Sequence, residues 1–282
     1  MHGLSTLLRH PRMLVAKASG CIRRKFAAIP LEPQVRLING KVRFEFVWLP
    51  FLADEDFRAM LTQSYDLTLF RLFRKTLSPG DIVLDVGANV GYVSAVAATY
   101  VGTTGEVHGF EPLKICFNRL NVLSTLNPEY RFIFNNVAVG EEEGVLPISY
   151  DPRGESRNAS LVPGEMGVVT ENVPVRRLDA YIKANITSPE RIRLIKIDVE
   201  GYEFPVLKGM EEFFSQTQHR PLIVCEVKPW DLKRLGYSLE EFDGYMKRFG
   251  YLPYDALESD RSIDFTALSD MEIVLFRPAR LP

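Results

Sequence analysis

The sequence predicts an α/β fold: a mainly parallel β-sheet with helices on both faces, plus an N-terminal helix and hairpin extension. Two observations carry this. Strand-like apolar runs alternate with helix-periodic runs from about residue 82 onward, the pattern of strands joined by crossover helices. Three of these strands, Ile82–Val86, Glu106–Phe110 and Arg193–Ile197, end among acids and glycines: Asp85 with Gly87, Gly109 with Glu111, and Asp198 with Gly201. Ligands of such sheets bind beyond the carboxyl ends of the strands, so these acids mark a functional edge.

Composition sets the outer bounds. The chain has 282 residues, 46% hydrophobic and 25% charged, enough for one large domain with an extension. A net charge of −2 gives no electrostatic case for nucleic-acid binding. The three cysteines, Cys21, Cys116 and Cys225, are scattered and lack metal spacing, which argues for a reducing, cytoplasmic setting. No apolar run reaches membrane-spanning length.

The elements follow in order. Residues 1–30 carry Arg9, Arg12, Lys17, Arg23, Arg24 and Lys25 and no acid. This segment reads either as a basic amphipathic helix for peripheral contact with an anionic membrane or as an ordinary packing helix. Charges and Pro11 interrupt its apolar positions, against a cleaved signal. Gln34–Leu49 alternates around Asn39-Gly40, a hairpin signal, with Val35, Leu37, Val42, Phe44 and Phe46 as the expected apolar face. Residues 1–53 are thus read as an extension and 54–282 as the main domain. Asp54 starts one helix through about Arg74, stopped by the turn Ser78–Asp81. Further strands are expected at Tyr130–Val137, Leu222–Glu226 and Met271–Phe276. Helices are expected at Tyr92–Tyr100, Leu113–Leu126, Leu178–Ala184, Phe204–Phe214 and Leu239–Phe249. Asp151–Pro174, rich in Gly, Pro, Ser and Asn, reads as a loop or short hairpin placed to cover a substrate.

The first strand runs into Gly87-Ala88-Asn89-Val90-Gly91. Glycines here would let a ligand approach the backbone, and the following helix would aim free N–H groups at it. Asp85 offers a carboxylate to a cationic amine. The segment lacks the middle glycine of the dinucleotide fingerprint G-x-G-x-x-G and the G-K-[ST] of a P-loop. Glu111, 20 residues after Gly91, stands where an acid receives ribose hydroxyls. A ligand with a cationic end and a ribose fits both acids, and S-adenosylmethionine is the expected one.

A second constellation lies at Leu194–Phe204: Lys196, Asp198, Glu200 and Glu203 crowd the end of an apolar strand. Alternation puts Lys196 and Asp198 on one side. A plainer reading has Glu203 supporting the helix start and Lys196 paired with Asp198. Glu226 reaches the same edge on the next strand, beside Asp198 if the two strands are neighbours.

From about Tyr65 to Pro229 the chain resembles the FkbM-type methyltransferase family. The matching pieces are VLDVGANVGY (Val83–Tyr92), GFEP (Gly109–Pro112), NVAVG (Asn136–Gly140), RRLDAYI (Arg176–Ile182), IKIDVEGYEFPVLKG (Ile195–Gly209) and IVCEVKP (Ile223–Pro229). The resemblance implies a class I, Rossmann-like methyltransferase fold, with a seven-stranded sheet whose last strand is antiparallel. It implies that Asp85, Gly87, Ala88, Asn89 and Gly91 surround the methionine part of S-adenosylmethionine. Glu111 with Pro112 would take the ribose, and Asn136 with Val137 would lie near the adenine. It also implies methyl transfer to a hydroxyl oxygen of a sugar, polyketide or similar small molecule. Tyr65-Asp66 departs from the Tyr-Glu pair frequent in the family, and the first hundred residues carry little family signal.

Deprotonating a hydroxyl calls for a base. Asp198 ranks first, then Glu200, then Glu226, with Lys196 tuning their charge or serving as base if burial lowers its pKa. Asp198 binding the cofactor's amino group, with Glu200 as base, stays open. Asp198 and Glu226 are also oxygen ligands hard enough for a divalent cation, though two acids do not make a site. The rival readings are a non-catalytic cofactor-binding module of the same fold and a nicotinamide-dependent oxidoreductase, which the Gly87–Gly91 pattern disfavours. An amine or nucleic-acid methyltransferase would want an Asn/Asp-Pro-Pro-aromatic segment where this chain has Asp198-Val-Glu-Gly. The acceptor's identity and the oligomeric state are not encoded in any recognisable motif.

Overall fold

The computed structural model describes residues 32–47, 54–150, 159–162, 169–256 and 258–279. The basic segment 1–30, the end of the expected hairpin at residues 48–49 and much of the loop 151–168 lie outside the described residues.

The central sheet has seven strands: β3 (Ile82–Val86), β4 (Glu106–Phe110), β5 (Arg131–Asn135), β9 (Ile192–Ile197), β10 (Leu222–Val227), β11 (Tyr251–Asp255) and β12 (Glu272–Pro278). Their order is β11-β12-β10-β9-β3-β4-β5. The pairs from β10 through β9, β3 and β4 to β5 are parallel, and β12 runs antiparallel to both neighbours. This is the expected α/β sheet with an antiparallel last strand. The chain order reverses between β3 and β9, and a ligand crevice in such sheets opens at that reversal.

The central strands are buried on both faces, so their sequences read as continuous apolar runs rather than alternating ones. Along β3, Ile82, Leu84 and Val86 enter one core cluster and Val83 the other. The first face packs against helices α5 (Leu178–Asn185), α6 (Glu203–Lys208), α7 (Glu211–Gln216), α8 (Pro229–Arg234) and α9 (Leu239–Arg248). The second face carries α1 (Asp54–Leu61), α2 (Leu67–Thr76), α3 (Tyr92–Val101) and α4 (Lys114–Leu126). None of the helices among the described residues is long and apolar enough to cross a membrane.

The hairpin forms where expected, with β1 (Gln34–Ile38) and β2 (Val42–Phe46) joined through Asn39 and Gly40, both at positive φ. Its apolar face differs from the expected one. The turn pairs Ile38 with Val42, so Val35 and Leu37 stand opposite Glu45 and Arg43 on the outer face, about half exposed. Ile38, Val42, Phe44 and Phe46 face inward. Phe44 and Phe46 pack edge-on against Tyr92 of α3, each such pair worth about 0.5–1.5 kcal/mol beyond area burial.

Two expected helices are each split. Asp54–Arg74 breaks between α1 and α2, where Gln63 and Asp66 take positive φ and the Asp66 carboxylate accepts from the Leu69 N–H at 3.0 Å. Phe204–Phe214 breaks at Gly209, where a Cβ would overlap the Gly140 carbonyl oxygen. Of the two forms expected for 151–174, a loop or a short hairpin, the end at Val169–Arg176 (β8) is a strand, antiparallel to β7 (Gly144–Tyr150) and parallel to the short β6 (Ala138–Val139).

Candidate active site

The carboxyl ends of β3, β4, β9 and β10 border a cavity of about 460 Å³ running from Glu111 and Pro112 to Asp198 and Glu226. Phe110, Val137, Ile148 and Leu161 form apolar wall between these ends. Leu161 belongs to the short described stretch 159–162, held down by a hydrogen bond from Ser160 Oγ to the Glu200 carbonyl at 2.7 Å. A cleft with mostly apolar walls and a few converging polar groups is the usual form of a small-molecule site.

At one end, Glu111 is pinned by the backbone. Its Oε2 accepts from the Asn89 N–H and its Oε1 from the Leu113 N–H, both at 2.9 Å. Asn89 reaches it by adopting φ +49°, a conformation asparagine tolerates better than most residues. Burial pushes the Glu111 carboxyl up to about 7, against the pull of those two hydrogen bonds. Asn136 does not line the cavity; its Nδ2 donates to the Glu111 and Pro112 carbonyls at 2.9 and 2.8 Å and so braces the turn. Val137 does line it.

The N–H groups of Gly87 and Ala88 both donate to the Phe110 carbonyl at 3.0 Å, and that of Gly91 to the Ala88 carbonyl. The first two hold the end of β3 to β4, and the third closes the turn on itself. Gly87 is required by close packing as well as by φ +78°, because a Cβ would overlap the Asp198 carbonyl oxygen. Gly91 lies away from the cavity, with Leu120 Cδ2 at 2.7 Å from where its Cβ would be. Asp85 is not at the cavity wall either. It is 1% exposed, accepts from Ser94 Oγ at 2.6 Å, and faces Lys196 Nζ at 3.4 Å.

At the other end the carboxylates are held by lysines. Lys196 Nζ donates to the Gly87 carbonyl at 3.0 Å and stands 3.4 Å from both Asp85 and Asp198. Burial alone would lower its pKa, but the Asp198 and Asp85 carboxylates outweigh burial and raise it. Burial therefore does not lower the Lys196 pKa in the way a lysine base would need. Strand β9 pairs Ile197 with Cys225 of β10, which sets Asp198 beside Glu226. Lys228 pairs with Glu200 and lies 3.5 Å from Glu226. Burial first, then the Asp198 charge, pushes Glu226 up to about 7 and Glu200 up to about 8, against Lys228. Glu203 is buried behind this loop, where its Oε1 accepts from the Val199 and Gly201 N–H groups at 3.1 and 3.0 Å. That fixes Glu200 at φ +53° and orients the acids of the Asp198–Glu200 turn.

The expected residues are thus brought together except Asp85, Gly91 and Asn136, which act from behind the wall. Sequence reasoning missed Lys228 and Asp56, and treated Tyr65 only as a departure; all three line the cavity. Lys228 had a legible signal, since residues i and i+2 of a strand share a face and Lys228 follows Glu226 by two. Among the described residues, no group of three or more His, Cys, Asp or Glu side chains is arranged to hold a metal ion. Asp198, the first of the two acids considered as cation ligands, already faces the Lys196 ammonium at 3.4 Å, and Glu226, the second, lies 3.5 Å from that of Lys228.

Residues 85–253 match the family described as the Methyltransferase FkbM domain. The chain is 27% identical over 164 residues to methyltransferase sdnD of Sordaria araneosa, covering 48% of this chain and 62% of that protein. It is 26% identical over 149 residues to hexuronic acid methyltransferase AglP of Haloferax volcanii, covering 50% and 55%. It is 28% identical over 166 residues to 31-O-demethyl-FK506 methyltransferase FkbM of Streptomyces tacrolimicus, covering 48% and 62%. The match thus spans little more than half the length of these relatives.

Proposed function

This chain belongs to the FkbM-domain methyltransferase family, and from that premise we propose that it transfers a methyl group from S-adenosylmethionine to a hydroxyl oxygen of a small-molecule acceptor. The observation that carries this reading is a single cavity with a backbone-pinned Glu111 at one end and the Asp198–Glu226 pair at the other. The acceptors named for two relatives, a hexuronic acid and 31-O-demethyl-FK506, are small molecules.

The cavity suits the cofactor. Glu111 would take the ribose hydroxyls, its carboxylate already oriented by Asn89 and Leu113, with each charge-assisted hydrogen bond worth about 1.5–3 kcal/mol. Phe110 and Val137 offer apolar surface for the adenine, and the Asp85–Lys196 ion pair stiffens the β3 tip from behind. When bound, S-adenosylmethionine supplies an electrophilic methyl group on a sulfonium.

The chain's own task is then to position the acceptor oxygen and remove its proton. Asp198 is our base, because it lines the cavity and is faced by the Lys196 ammonium, whereas Glu200 is tied up by Lys228. The Asp198–Glu226 pair takes the hydroxyl proton as the new C–O bond forms. Holding the oxygen in line with the breaking bond supplies up to about 7–11 kcal/mol in favourable cases. The test is methyl transfer from labelled S-adenosylmethionine to a panel of hydroxylated metabolites. Labelled ether product from any of them supports the reading; binding of the cofactor with no transfer to hydroxyl, in favour of nitrogen acceptors, would refute the oxygen assignment.

A further inference from the structure

A second cavity of about 360 Å³ opens from the first beneath α1 and α2, against β9, β10 and β12. The two share Asp56, Tyr65, Lys196, Asp198 and Glu226, so they meet at the group to which the acceptor hydroxyl must come. Tyr65 stands at this waist, and the break between α1 and α2 fixes its place. Gln63 and Asp66 take positive φ on either side of it, and its own N–H donates to the Ala59 carbonyl at 3.1 Å. Its ring lies edge-on to Tyr92, 5.8 Å between centroids. A buried tyrosine hydroxyl usually finds a partner. Those of Tyr92, Tyr245 and Tyr251 donate to the Met60, Leu207 and Pro221 carbonyls, each at 3.0 Å. The Tyr65 hydroxyl makes no hydrogen bond to any described residue, and it sits among Asp198, Asp56 and Lys196. Burial first, then the Asp198 and Asp56 charges, raise its pKa against Lys196, so it stays a phenol that can donate.

We propose that Tyr65 is an acceptor-binding residue whose hydroxyl donates to a second oxygen, on the carbon next to the one that carries the reacting hydroxyl. The acceptor is then a vicinally oxygenated alcohol, such as a sugar or cyclitol ring. This rests on the reading of the first cavity as the methyl-donor site. The reacting hydroxyl gives its proton to the Asp198–Glu226 pair and a lone pair to the methyl carbon. A hydrogen bond from Tyr65 to that same oxygen would draw electron density away from the new bond. On the neighbouring oxygen it orients the acceptor and leaves the nucleophile untouched. Beyond the waist, Leu67, Val224 and Ile273 offer apolar surface for the ring carbons.

Initial rates of labelled methyl transfer by the full chain test this with three matched probes: cyclohexanol, trans-1,2-cyclohexanediol and trans-2-methoxycyclohexanol. The last carries a neighbouring oxygen that can only accept. The diol and the methoxy alcohol should exceed cyclohexanol in kcat/KM per hydroxyl by about five- to ten-fold, the size of one hydrogen bond. Y65F keeps the ring against Tyr92 and should bring both ratios to within about two-fold. No preference in the wild type, a preference that survives Y65F, or no methylation of any probe would overturn the proposal. Three rates that fall alike in Y65F would also overturn it, by placing the phenol on Asp198 instead. Calorimetry with S-adenosylhomocysteine, run beside it, separates the two readings. Absence of heat there strikes the donor site and all that rests on it, whereas heat with no preference among the probes strikes Tyr65 alone.

Discussion

The two ends of the cavity use the same residue type in opposite ways. Glu111 is held by two backbone N–H groups from turns adjacent in sequence or strand order. Asp198, Glu200 and Glu226 are held by the ammonium groups of Lys196 and Lys228, brought in by neighbouring strand positions. Backbone amides fix a carboxylate's direction without changing with pH. Lysines set its charge, and Glu226 near 7 and Glu200 near 8 remain sensitive to protonation. In the proposed function one end orients the cofactor and the other receives the proton, although Glu111, raised to about 7 by burial, responds to pH as well. Gly87 joins them, because its turn binds β4 on one side and touches the Asp198 backbone on the other.

The sharpest way to break this comparison is Asp198→Asn. Turnover should fall by about 10²–10⁴-fold, while S-adenosylhomocysteine affinity, read by calorimetry, stays close to that of the wild type. A loss confined to affinity would move Asp198 to the cofactor end. Next comes the joint. Gly87→Ala should cost about 3 kcal/mol or more of stability in denaturant titration, since φ and the Asp198 carbonyl both oppose a side chain. Wild-type stability there would mean the two ends are not mechanically linked.

Glu111→Ala should weaken S-adenosylhomocysteine binding about ten- to hundred-fold, with a smaller effect on turnover at saturating cofactor. If affinity is unchanged, the ribose assignment is lost. The proton-exchanging end responds to pH. Glu226 near 7 and Glu200 near 8 belong to one interacting cluster, so kcat/KM should rise through that window as the cluster loses protons. Lys228→Met removes the charge that opposes their raised pKa, and the rising limb should move alkaline by about one pH unit. An unmoved limb would separate Lys228 from the cluster.

The smallest expected effect concerns stability. Burial pushes Glu203 up to about 8, above its ordinary value. A carboxyl raised on folding contributes stability that is fully present below its unfolded pKa and lost as pH rises through the folded one. The melting temperature should therefore decline through about pH 8, and Glu203→Gln, whose amide oxygen can still accept from Val199 and Gly201, should flatten that decline. A variant with the same pH slope as the wild type would show that Glu203 does not titrate there.

Much of this contrast was legible in the sequence, and unevenly so. Ile82–Val86 and Glu106–Phe110 appear in the structure at the expected bounds, because strands buried on both faces leave an unbroken apolar run. Tyr251–Asp255 was missed: it is an edge strand with Pro253 inside it, where proline is tolerated but removes the strand signal. Val169–Arg176 was hidden because VTENVPVR alternates polar and apolar residues within a Gly/Pro-rich neighbourhood. The split at Gly209 could not be read, since helical periodicity continues through it and the cause is the distant Gly140 carbonyl. Within the site, each acid was visible one by one beside a strand end. Their partners were not, because Lys228 with Glu200, and Asp85 behind Lys196, depend on strand register rather than on any local pattern. The inward face of the turn N–H groups likewise depended on Phe110 of the next strand.

A structure of the chain soaked with S-adenosylhomocysteine puts the central claim to its most direct test. The account expects the ribose hydroxyls on the Glu111 carboxylate and the sulfur turned toward Asp198 and the waist at Tyr65. Density for the nucleoside elsewhere, or a ribose that leaves Glu111 uncontacted, would contradict it.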